Sequence, residues 1–107
     1  MARAEEKAAV ETVAEAEATL DEARRRVQQD SAIASHAERD RLRYAALVEK
    51  SEISRSLYDA RDTDAKSAAE AVAADQAAEA AAVRKVAEAQ RTVAPRQAEI
   101  DAAQTVR

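Results

Sequence analysis

The sequence of 107 residues has no glycine, no cysteine, one proline (Pro95), one histidine (His36) and two aromatic residues, Tyr44 and Tyr58. Each shortage narrows what the chain can be. With 31 alanines and almost no aromatics, the hydrophobic share of 47% cannot supply a thick core, because alanine favours helix but buries little surface. His36 has no cysteine beside it, so a zinc site would need a carboxylate set that helical spacing does not present, and an ion pair with Asp40 at i+4 is the expectation instead. The serines at 31, 35, 51, 54, 56 and 67 lack a base and an orienting acid. No catalytic residue, cofactor or metal is therefore expected, and the chain does not read as an enzyme. The lack of cysteine fits any redox compartment.

No apolar run approaches the length of a membrane span, and no stretch has the pattern of a secretory signal. Net charge is -4, with Lys and Arg spread over both halves, so no basic face strong enough for nucleic acid is expected. The triplet Arg24 to Arg26 has Asp21, Glu22 and Asp30 about a turn away and reads as a solvated helix face.

What is present is a seven-residue repeat on either side of residues 43–59. In the second half Tyr58, Ala65, Val72, Glu79, Val86, Val93 and Ile100 recur at that spacing, with Arg61, Ala68, Asp75, Ala82, Ala89, Arg96 and Ala103 three positions later. The first half gives Val13, Leu20, Val27, Ala34, Arg41 and Val48, with Ala9, Ala16, Ala23, Asp30, Ala37 and Tyr44 as companions. This spacing draws one narrow stripe along each helix, the seam of a left-handed coiled coil. Reflecting the chain about Ser51 sets Leu20 opposite Ala82, Ala16 opposite Val86, Val13 opposite Ala89 and Ala9 opposite Val93, so each bulky side chain meets a small one. The expected fold is all-α, a long two-helix antiparallel coiled-coil hairpin forming one domain over 1–107. Its helices are placed at about 3–49 and about 55–106, with the tip at about 50–53 and a kink near Pro95.

Three acids, Asp30, Asp75 and Glu79, interrupt the stripe near mid-arm and predict a looser, hydrated segment. Arg41 facing Arg61 is a second weak layer, with Asp40, Asp62 or Asp64 available to relieve it. At the tip Ser54 is placed to cap the second helix, and Ile53 and Tyr58 are spaced as a hydrophobic staple. Because the turn lacks glycine, Lys50 or Ser51 must take the helix-ending conformation. With so thin a seam, stability is expected to be marginal, and two isolated hairpins could associate side by side.

The tip segment RYAALVEKSEISRSLYD, residues 43–59, resembles the α-helical hairpin of periplasmic adaptor subunits, the membrane fusion proteins of the HlyD and EmrA type. Those hairpins carry an arginine, a leucine four residues later and a serine seven beyond that, matched here by Arg43, Leu47 and Ser54. Tyr44, Val48, Ile53, Tyr58, Asp59 and Ala60 agree around them, whereas Ser51 stands where many relatives have glycine. The resemblance implies that Arg43, Leu47 and Ser54 dock on a TolC-like outer-membrane channel in the periplasm. It further implies an inner-membrane transporter as second partner, a hexamer in the full assembly, and a larger protein anchored in the inner membrane of which this is a fragment. No direct membrane insertion of the hairpin is expected, since an alanine and valine stripe partitions poorly. Arg43 and Leu47 share a helix face off the seam, as a docking pair would. Packing of Leu47 on Ile53 or Leu57 and capping by Ser54 are the competing structural roles, and Leu42 and Leu57 fit either arrangement. The alternative for the whole chain is a structural coiled-coil spacer with no tip partner. Arms of about 50 residues would span roughly 75 Å.

Overall fold

The structure, a computed structural model, describes residues 2–105, with side chains described for all of these except residues 2, 94–99 and 105. Helix α1 spans Ala2–Glu49 and helix α2 spans Arg55–Thr105; a short turn joins them into an antiparallel two-helix hairpin, and there is no strand among the described residues. Alanine is the commonest residue of both helices, and no glycine interrupts either, so summed propensity sustains lengths that a short peptide could not. Glu5 lies in the first turn of α1, where the helix dipole favours a carboxylate. Thr12, Thr19 and Thr92, less favourable in helices, turn their hydroxyls back to the carbonyls of Ala8, Glu15 and Glu88 at 3.0, 3.1 and 3.3 Å. The kink expected at Pro95 and the seam place given to Arg96 lie outside the described side chains.

The chain divides into two compact units, Met1–Ala23 with Ala78–Arg107 (the base unit) and Arg24–Ala77 (the tip unit). In the base unit Ala9, Leu20, Ala82 and Ile100 are buried, with Ala82 only 5% and Leu20 8% exposed. Val13, Ala16, Ala23, Glu79, Val86, Ala89 and Val93 are half-buried. These are the positions picked out by the repeat. A groove beside this seam is lined by Thr12, Ala16 and Thr19 from α1 and by Lys85, Ala89 and Thr92 from α2, as the reflection about Ser51 requires. Ala103 departs from the expectation and is exposed.

In the tip unit the same spacing holds, but Ala65 alone is buried among the apolar residues described. Val27, Ala34, Ala37, Val48, Ala68 and Val72 are half-buried, together with the polar seam residues Asp30, Arg41, Tyr44, Tyr58, Arg61 and Asp75. The helices here are thus held by a mixed seam, in which each polar group must find a partner or remain wet.

Candidate docking tip

The tip is built by two local devices that the residue types dictate. Helix α1 ends where Ser51 takes φ 58°, the left-handed region that glycine enters freely and serine enters at a cost of roughly 1 kcal/mol. The Ser51 N–H then donates to the Val48 carbonyl at 3.1 Å and the Glu52 N–H to the Leu47 carbonyl at 3.0 Å, the double closure of a Schellman motif. Helix α2 begins at Ser54, whose hydroxyl accepts the Leu57 N–H at 3.2 Å and whose carbonyl accepts the Tyr58 N–H at 3.3 Å. Ile53 and Tyr58, the expected staple pair, are both half-buried. The N–H groups of Ser51, Glu52, Leu57 and Tyr58 are thereby satisfied within the turn.

The three residues singled out at the tip have different surroundings. Arg43 has its side chain 65% exposed and forms an ion pair with Asp40 one turn back; Asp40 also faces His36 Nε2 at 3.5 Å. Ser54 is exposed, with its hydroxyl engaged as the cap. Leu47 is half-buried, less open than a docking leucine off the seam was expected to be. Two other leucines are more exposed, Leu42 at 55% and Leu57 at 39%.

Below the turn, the layer expected as arginine against arginine is resolved by the two tyrosines. Arg41 donates through Nε to Glu38 Oε2 at 3.0 Å, and its guanidinium also bonds to the Tyr58 side chain; Glu38 first and Tyr58 second raise the Arg41 pKa. Arg61 bonds to Tyr44, the largest cause of its own raised pKa, lies 5.1 Å from the Tyr44 ring centroid and reaches Asp64 at 3.3 Å. Each arginine on one helix therefore meets the tyrosine on the other. Arg61 Nε is buried without a partner, the one unsatisfied donor of this layer among the described residues. The Arg41 guanidinium holds the Glu38 carboxyl below the ordinary glutamate value. Of the acids named as relief for the arginines, Asp64 serves Arg61, whereas Asp62 pairs with Lys66 at 3.0 Å and Asp40 turns to Arg43. Glu38 was the partner that heptad reasoning passed over. The available signal was a palindrome: Arg41 and Arg61, and Tyr44 and Tyr58, are both symmetric about position 51.

Among the described residues there is no group of three or more His, Cys, Asp or Glu side chains that could hold a metal, and no helix is long and apolar enough to cross a membrane. No family model, curated protein or solved structure matches the chain. The function must therefore be argued from the tip itself.

Proposed function

We propose that this chain is the docking hairpin of a periplasmic adaptor, a binding and assembly module without chemistry of its own, whose tip engages a TolC-like outer-membrane channel. In this reading the rest of the protein reaches an inner-membrane transporter, and several copies, six by family resemblance, surround the channel entrance. The observation that carries the proposal is the way the tip is finished. Its reversal is closed by its own backbone bonds, while Arg43 and the apolar surfaces of Leu42 and Leu57 stay open next to it. An exposed arginine supplies directional hydrogen bonds to carbonyls or carboxylates of a partner, and exposed leucines supply the anchor. Leu47 and Ser54 then contribute at the edge of that surface, the first half-buried and the second through its outer side.

A second reading, a coiled-coil spacer with no tip partner, is favoured by the same two residues, since Ser54 is employed as a cap and Leu47 as partly buried packing. The experiment that separates the two uses the full-length protein with Arg43→Glu and Leu47→Asp introduced together. Docking predicts loss of channel co-purification and of export, with helicity unchanged by circular dichroism. Persistence of both with the two residues replaced would leave the spacer.

A further inference from the structure

The tip unit contains a feature that docking does not use. Asp30 of α1 and Asp75 of α2 occupy seam positions, both are half-buried, and Asp75 Oδ2 is buried with no hydrogen-bond partner. Two ionised carboxylates have no donor between them, so this oxygen stays unsatisfied unless a proton is shared. We propose that Asp30 and Asp75 form a proton-operated latch: with one proton between them the two carboxyl groups bind α1 to α2, and without it they repel and loosen this stretch of the seam.

The surroundings set its direction. From α1 two ionisable groups bear on Asp75, Asp30 and Arg26; the Asp30 carboxyl, which can accept a proton held by Asp75, is the largest influence and, with desolvation and the Asp30 charge, raises the Asp75 pKa, while Arg26 opposes it. On α2 the next acid along the seam is Glu79, four residues further on in the sequence. A carboxyl whose pKa is higher folded than unfolded stabilises the fold fully below the ordinary aspartate range, and that contribution is lost as pH rises through the raised value. The latch therefore closes as pH falls through the raised Asp75 value and opens above it, opposite to the usual acid loosening of carboxylate-rich proteins. This inference stands whether or not the tip docks on a channel.

Thermal melts of this chain and of Asp75→Asn, followed by circular dichroism at pH 7 and pH 4, test it. At pH 7 the asparagine variant should melt a few degrees higher, because the amide supplies the missing donor without charge, and at pH 4 the gap should be smaller. Asp30→Asn should behave alike, and the double variant should gain less than the sum of the two. An unchanged gap between the two pH values, or variants melting below the parent at pH 7, would overturn the latch. Carboxyl carbon NMR of the unmodified chain gives an independent reading. The Asp75 carboxyl should titrate above the ordinary aspartate range; a midpoint within that range would also overturn it.

Discussion

The base unit and the tip unit follow one seven-residue spacing and yet are held together by different physics. Among the described side chains the base-unit stripe is apolar apart from Glu79, and Ala9, Leu20, Ala82 and Ile100 are withdrawn from water. In the tip unit arginine, tyrosine and aspartate take the equivalent places, paired as Arg41 with Glu38 and Tyr58, Arg61 with Tyr44 and Asp64, and Asp75 with Asp30. Burial of small apolar side chains is undirected and supplies stability, whereas polar pairs across a seam contribute less net energy and tolerate fewer arrangements. The comparison teaches that periodicity alone fixes which residues face the partner helix, while residue chemistry decides whether that face supplies adhesion or register.

The sharpest way to break the comparison is Leu20→Ala. If adhesion resides in the base unit, this change should cost about 2 kcal/mol, the low end for a buried leucine because an open seam can partly collapse, as read from urea unfolding; a loss no greater than that of a surface substitution would refute the assignment. The turn offers a medium effect of known sign on each side of zero. Ser54→Ala should lose about 1 kcal/mol with the helix cap, and Ser51→Gly should gain roughly 0.5 to 1 kcal/mol by relieving the left-handed serine. Equal effects of the same sign would mean that the two caps do not work as described. The smallest effect is expected from Glu38→Gln. Glu38 is exposed to solvent, so the melting temperature at neutral pH should barely move. Because the Glu38 pKa is lowered in the fold, its contribution is present above the ordinary glutamate range and fades as pH falls through the lowered value, opposite in sign to Asp75. A pH series comparing parent and variant would show that slope or its absence.

Much of this was legible in the residues. The reflection about Ser51 located the seam from Ala9 to Val93 without adjustment, because a narrow apolar stripe on a glycine-free helix has one energetically sensible use. Ser51 as the helix-ending residue was one of two candidates, and only the backbone angle separates it from Lys50. What a heptad template could not supply was the arginine and tyrosine exchange, since it treats every charge in the seam as a defect and ignores reach. A guanidinium on a three-carbon stem can step a turn along the axis to an aromatic ring or a carboxylate, and both Arg41 and Arg61 do so. At the tip, family resemblance named Arg43, Leu47 and Ser54, but spacing could not tell how much of Leu47 the turn would cover.

The single reversal at Ser51 also sets an order of events during folding. Arg41 and Tyr58 are few residues apart along the chain, and each later contact encloses a longer loop, up to those of Ala16 and Ala89 beside the base groove. Loop closure is cheapest next to the turn, so assembly should start at the apex and zip toward the termini, with fraying in the reverse order. The polar layers would then be tested first, before any strongly apolar contact exists to trap a misaligned pairing. A chain that checks its alignment before it commits its greasier half can tolerate an alanine seam that, by itself, would accept several offsets almost equally well.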